Sequence, residues 1–149
     1  MKDIWMYNLL GILAGFLITL QPGLNSIVSQ KLGSPLLAAF ISFLVGTLVL
    51  LLIMLILKIP FPDFFIFKSV PWWAWTGGIL GAFLVTVSII LAPRIGALSL
   101  MVLFLVGQTL GSLLCDHFGL AGFPVHPLNI FRVIGLFFLF GGLYLINKF

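Results

Sequence analysis

Four long stretches without a charged side chain constrain this sequence more than any other feature. They run from Asp3 to Lys31, Lys31 to Lys58, Lys68 to Arg94 and Arg94 to Asp116, and each holds more than twenty uncharged residues. At about 1.5 Å of rise per helical residue, twenty residues cross the roughly 30 Å of hydrocarbon in a bilayer. The chain is therefore predicted to be an all-α integral membrane protein.

The composition leads to the same conclusion. Hydrophobic residues make up 62% and charged residues 7% of the 149 positions, more apolar surface than one soluble core of this size can bury. The seven Lys and Arg residues are spread singly near segment ends, which is typical of membrane boundaries and unlike a nucleic-acid surface. We expect membrane lipids, and no nucleic acid, as partners. The single cysteine excludes a disulfide within the chain.

The segment pattern predicts one transmembrane domain over residues 1–149. It has about five helices, at residues 4–28, 35–57, 71–92, 96–115 and 128–147. Pro35 and Pro71 open the second and third helices, where the missing N–H costs little. The tryptophans after Pro71 favour the headgroup layer, with a ligand site as the alternative. The fifth helix spans only if Arg132 reaches to the interface; otherwise four spans and an interfacial helix remain.

Positive charges are almost balanced between the two predicted sides of the membrane. One side holds Lys2, Lys58, Lys68 and Arg132, and the other holds Lys31, Arg94 and Lys148. Positively charged loops normally fix the orientation of a membrane protein. Without that bias, the chain can insert both ways up and pair as an antiparallel homodimer, or take one orientation from weaker signals.

An internal similarity indicates that one helix hairpin is used twice. Residues 11–19 and 78–86 share six of nine positions, and residues 43–47 resemble residues 104–109. We predict two similar helix hairpins followed by a fifth helix.

The first segment carries the densest group of polar residues. Gln21 and Asn25 are four apart and share a helix face, with Ser29 one turn further. Pro22 and Gly23 lie between them, and proline removes a backbone donor and clashes with the preceding turn, so a kink or break is predicted here. Transporters build substrate sites at such discontinuous helices. Gln21 and Asn25 are therefore predicted to bind a small-molecule substrate; the alternative is that these amides hold helices together.

The fourth segment carries a second polar stripe. Gln108, Ser112 and Asp116 follow at steps of four and face one way. Gln108 and Ser112 are predicted to bind substrate as well. Asp116 is the one carboxylate that adjoins a span, so it is the candidate for proton coupling, with a simple helix-end residue as the alternative.

Other chemistry is not indicated. Cys115, His117 and His126 are metal-binding residue types near Asp116, but their spacing fixes no convergent ligand set, and no metal site is predicted. The sequence contains no cofactor fingerprint and no catalytic motif. We therefore expect neither a cofactor nor enzymatic activity.

Several motifs, in order along nearly the whole chain, resemble the YdcZ-type small inner-membrane proteins of bacteria, members of the drug/metabolite transporter superfamily. They are Gln21-Pro22 with Asn25, residues 31–35, residues 71–75 with Gly77-Gly78, residues 93–96, Gly107-Gln108 and residues 116–119. The resemblance implies a five-helix half-transporter in the bacterial inner membrane. Two antiparallel copies would match the ten-helix relatives, whose halves are inverted repeats. The small multidrug relatives carry a glutamate in their first helix, and this chain has no glutamate.

These observations together predict a homodimeric transporter that moves a small organic metabolite or drug-like compound by alternating access. The substrate is expected to be neutral or zwitterionic, because a buried cation would need a counter-charge. The alternatives are a membrane scaffold or assembly subunit that transports nothing, half of a lipid-linked flippase, and a small channel.

Overall fold

A computed structural model describes residues 2–148, and within this range the chain is helical and has no strand. The helices are α1 (Lys2–Leu32), α2 (Pro35–Ile56), α3 (Phe64–Ser69), α4 (Gly77–Phe118) and α5 (Ile130–Lys148). Single 3-10 segments cover Trp72–Thr76 and Leu120–Gly122. The prediction of an all-α fold is confirmed.

Three helical stretches in the described range are long and apolar enough to cross a membrane. They are Ile4–Leu32, Pro35–Ile56 and Trp72–Phe118, and Ile130–Ile146 is a shorter apolar helix. The third stretch has 47 residues, about twice what one span needs. The chain is a membrane protein with several spans.

A non-helical glycine divides α4. Gly96 has φ 79° and ψ 167°, a region of backbone space that essentially only glycine adopts. Residues 77–95 and 97–118 on either side are each about the length of one span. The interruption lies at position 96, where the sequence predicts the fourth helix to begin, and residues 93–95, which the sequence places between helices, are helical. Pro93 lies inside the helix, so the interruption is made by the glycine.

Helix α1 is not interrupted at Pro22 and Gly23, and a kink at these residues, the other form of the prediction, stays a prediction. α1 is one helix from Lys2 to Leu32, with Pro22 inside it. A proline removes one backbone hydrogen bond, and a long helix whose other turns are intact tolerates that loss. Pro22 is also buried, so its ring is accommodated by packing. α1 therefore presents side chains, and no unwound backbone, to a ligand.

The helices form two compact units, residues 2–94 and 95–148. In the first unit, α1 and α2 form a hairpin through Gly33, whose φ of 73° suits a glycine. Ser34 caps α2, because its Oγ accepts a hydrogen bond from the Leu37 N–H at 3.3 Å, and Pro35 takes the first helical position as predicted.

The first unit has a small buried apolar cluster. Ala38 and Ala39 of α2 and Ile89 of α4 form its buried apolar cluster, and Val28 and Val85 pack against it. The alanines of α2 let the backbones of α1 and α2 approach closely, as is usual between membrane helices.

The two repeated segments share a local hydrogen bond. Thr19 Oγ1 donates to the Gly15 carbonyl at 2.9 Å, and its counterpart Thr86 donates to the Ala82 carbonyl at 2.8 Å. Each hydroxyl is thereby satisfied inside its own helix, where no water is present. The internal similarity extends to this local geometry, and the repeated hairpin itself stays a prediction.

In the second unit, the chain folds back against the end of α4. Gly119 ends the helix with φ 64°, and a Cβ on it would lie 2.8 Å from Val125 Cγ2. The His126 N–H donates to the Asp116 carbonyl at 2.7 Å. Glycine is needed at position 119 both for its backbone angle and for this close approach.

Candidate functional site

The first unit contains a polar cavity of about 260 Å³ between α1 and α2. It is lined by Gln21, Ser42, Phe43, Gly46, Thr47 and Leu50, and we call it the Gln21 cavity. Gln21 is half-buried, and its amide forms no hydrogen bond with any of residues 2–148. Both the donor and the acceptor of this amide are therefore available to a ligand.

Asn25 does not line this cavity. Its side chain is 8% exposed, and Nδ2 donates to Ser42 Oγ at 3.1 Å, from α1 to α2. In membrane proteins such interhelical hydrogen bonds contribute about 0.6 kcal/mol, up to about 1.7. Ser26 and Ser29 on the same face are buried too. Asn25 thus links the two helices and positions Ser42 at the cavity wall, and its predicted role in substrate binding stays a prediction.

A second, apolar cavity in the same unit has a volume of about 530 Å³. It is lined by Ser34, Leu36, Leu37, Ala39, Phe40 and Phe43 of α2 and by Ala82 and Thr86 of α4. Its walls offer almost no hydrogen-bonding groups, so it suits acyl chains or apolar side chains and cannot orient a polar substrate.

The second unit contains a cavity of about 270 Å³ near the end of α4. It is lined by Gln108, Gly111, Ser112, Cys115, Asp116 and Phe123, and we call it the Asp116 cavity. Gln108, Ser112 and Asp116 line the same cavity, as their helical spacing leads one to expect. Neither Gln108 nor Ser112 forms a side-chain hydrogen bond within the described chain.

Asp116 is held in an ion pair. Its Oδ2 lies 3.2 Å from Arg132 Nη1 of α5, and the two side chains are 29% and 35% exposed. The same Nη1 donates to the His126 carbonyl at 3.1 Å. A carboxylate close to a helix C-terminus is disfavoured by the helix dipole, and the guanidinium offsets this. The ion pair therefore joins α4, the segment that follows it, and α5.

Sequence reasoning missed three residues of these sites. Ser42 and Thr47 are hydroxyls in an otherwise apolar helix, and nothing in their spacing marks them. Arg132 was expected to reach towards the membrane surface, and it turns instead to a carboxylate sixteen residues earlier. The pairing of the one aspartate that adjoins a span with a nearby arginine is the signal that could have identified it.

The predicted residues are divided between the two units. Gln21 and Asn25 belong to the first, and Gln108, Ser112 and Asp116 belong to the second. That residues of both units bind the same substrate stays a prediction. Among the described residues, no three His, Cys, Asp or Glu side chains are grouped to hold a metal ion.

One comparison with known proteins gives a match. A family model described as "Putative inner membrane exporter, YdcZ" matches residues 6–145, a range that contains both polar cavities and the ion pair. No curated protein and no solved structure gives a significant match to the chain.

Proposed function

Because the chain belongs to the YdcZ family of inner-membrane exporters, we propose that it is a half-size transporter. Two copies move a small organic metabolite or drug-like compound across the inner membrane by alternating access. Gln21 in one cavity, and Gln108 and Ser112 in the other, bind the compound, while Asp116 couples its movement to protons.

The observation that carries this proposal is the presence of unpaired polar side chains in cavities of apolar spans. Gln21 is half-buried, whereas Gln108 and Ser112 are exposed on the single chain. None of the three makes a side-chain hydrogen bond with residues 2–148, and unpaired polar groups at membrane depth are costly. A protein that only packed helices would pair such groups, as Asn25 is paired with Ser42. Side chains that are left unpaired in cavities suit water and a polar ligand.

Dimer formation is supported by how little of the chain buries itself. In the described part, the buried hydrophobic residues other than Pro22 are Ala38, Ala39, Ile89, Leu100 and Val106. Most other large apolar side chains are exposed, and lipid or a second copy must cover them. The nearly even distribution of positive charge favours a second copy of opposite orientation.

Thiol accessibility tests whether the Gln21 cavity holds water. With Cys115 replaced by serine, Gln21→Cys is expected to react with small hydrophilic thiol reagents in intact membranes. Asn25→Cys should be protected, because position 25 is buried against α2. Phe16→Cys is the control for an apolar position, because Phe16 is 68% exposed on the single chain and a thiol in an apolar environment does not ionise to the reactive thiolate. The measurement is the labelling rate of each variant.

The pattern of labelling separates transport from a scaffold. A fast reaction at position 21 with slow reactions at 16 and 25 supports a watery substrate path. Equal protection of all three positions, both with and without a membrane potential, would mean that the amides serve helix packing alone.

Proton coupling predicts a selective loss in Asp116→Asn. The amide keeps the size of the carboxylate but cannot bind and release a proton. In proteoliposomes, a proton gradient should no longer drive accumulation of the substrate, and the internal concentration should only reach the external one. Exchange of internal for external substrate, measured at saturating concentration, should persist. Asp63→Asn is the matched control, because Asp63 caps α3 without a side-chain hydrogen bond. Undiminished accumulation in Asp116→Asn would remove the coupling role.

A further inference from the structure

The carboxylate of the Asp116 cavity is only partly used by the protein. Its Oδ2 is bound to Arg132, and its Oδ1 has no partner among residues 2–148. An ionised carboxylate has about four lone-pair sites. Asp116 also lines the cavity wall, so Oδ1 can accept hydrogen bonds from a ligand there.

The guanidinium of Arg132 is partly used as well. Both of its bonds, to the Asp116 carboxylate and to the His126 carbonyl, come from Nη1. Within the described chain, Nε and Nη2 have no partner, and a guanidinium offers five donors in a planar fork. The side chain is 35% exposed and lies beside the Asp116 cavity, outside its lining residues, so these remaining donors can bind a second carboxylate at the edge of the cavity.

The opposite charges at 3.2 Å discriminate between classes of ligand. A simple cation is attracted by Asp116 and repelled by Arg132, and a simple anion is attracted by Arg132 and repelled by Asp116. A molecule that carries an ammonium next to a carboxylate matches both groups at once. The cavity volume of about 270 Å³ lies just below the usual range for drug-sized ligands. It suits a molecule of the size of an amino acid.

We propose that a small zwitterion of the α-amino-acid type binds where the Asp116 cavity adjoins Arg132, the ion-pair partner of Asp116. Its ammonium group donates to Asp116 Oδ1, and its carboxylate accepts from the unused N–H groups of Arg132. Gln108 and Ser112 contact polar parts of the ligand, and Phe123 contacts apolar parts. This inference names the substrate class of the proposed transporter, and only its relevance to transport rests on the proposed function.

Binding to the purified protein in detergent tests the inference without transport. Calorimetry compares leucine with isopentylamine, which lacks the carboxylate, and with isocaproate, which lacks the ammonium; glycine and glutamine vary the side chain. At least one of the three amino acids is expected to bind roughly 10- to 100-fold more tightly than either fragment, the equivalent of one lost charge-assisted hydrogen bond. Equal or weaker binding of all three amino acids overturns the proposal.

Two variants should exchange the ligand preference. Asp116→Asn leaves Arg132 without its anion, so isocaproate should now bind more tightly than to the unmodified protein, and the amino acid more weakly. Arg132→Gln should do the reverse, with isopentylamine gaining affinity. Asp63→Asn and Arg94→Gln are matched controls, because both side chains are exposed and form no ion pair within the described chain. If both variants bind the amino acid more weakly but neither binds its expected fragment more tightly, the ion pair is a structural contact and the proposal is wrong.

A further variant guards against loss of folding. Exchanging the two charges, with Asp116→Arg and Arg132→Asp together, restores the ion pair and should restore preference for the amino acid over both fragments; a folded exchange variant without that preference overturns the proposal. The proposed function is judged separately in proteoliposomes. Selective binding of the amino acid without flux would contradict the proposed transport but support the proposed ligand class. Flux of other compounds, with no preference for the zwitterion in binding, would support transport and contradict the ligand class.

Discussion

A reporter fused after Phe149 is expected to be active on both sides of the inner membrane. With five spans, four Lys and Arg residues lie on one side and three on the other, and a difference of one charge hardly selects an orientation. Two fusions are compared, one with a reporter that is active only in the cytoplasm and one with a reporter that is active only in the periplasm. Their relative activities measure the fraction of chains in each orientation. Comparable activity of both versions is the expected outcome.

A few added charges should then decide the orientation. Phe61→Lys with Phe65→Lys adds two charges in the segment before α4, where both side chains are exposed. Gln30→Lys adds one charge on the opposite side. The first change makes the count six against three and is expected to drive the reporter into a single orientation, whereas Gln30→Lys makes it four against four and should leave the mixture. Phe61→Gln with Phe65→Gln lowers the hydrophobicity without adding charge and should leave the mixture of two orientations unchanged. A single orientation of the unmodified chain would remove the basis for an antiparallel homodimer.

The helices could be predicted from the sequence because hydropathy and helix signals are local. The apolar stretches between single charges give the spans, and Ser34 and Pro35 mark the start of α2 as helix capping requires. The spacing of Gln108, Ser112 and Asp116 placed them in one cavity for the same reason, since residues four apart share a helix face.

The contacts between helices could not be predicted, because they depend on tertiary packing. Which residue of α2 meets Asn25 follows from the register of the hairpin, and no local pattern contains it. The ion pair of Asp116 and Arg132 requires the chain between α4 and α5 to fold back through a glycine with positive φ. The continuity of α1 through Pro22 has the same origin, since packing and neighbouring turns decide whether a proline interrupts a membrane helix.

Gly96→Ala is expected to destabilise the protein strongly for a change of one methyl group. At φ 79° and ψ 167° a Cβ is strained by the backbone itself, at a cost of about 1–3 kcal/mol. No atom lies within 4 Å of the added Cβ, so the loss comes from the backbone and not from a clash. Unfolding in detergent, followed by circular dichroism against a denaturant, measures the change.

The matched control should shift stability in the opposite direction. Gly141 lies inside α5, and its added Cβ also meets no atom within 4 Å, so Gly141→Ala should be neutral or stabilising by up to about 1 kcal/mol. The alternative open to Gly96→Ala is to continue the helix through position 96. An unbroken α4 of 42 residues would be about 63 Å long, twice the hydrocarbon thickness. A Gly96→Ala protein as stable as the unmodified chain would show that two spans can be joined here without the glycine.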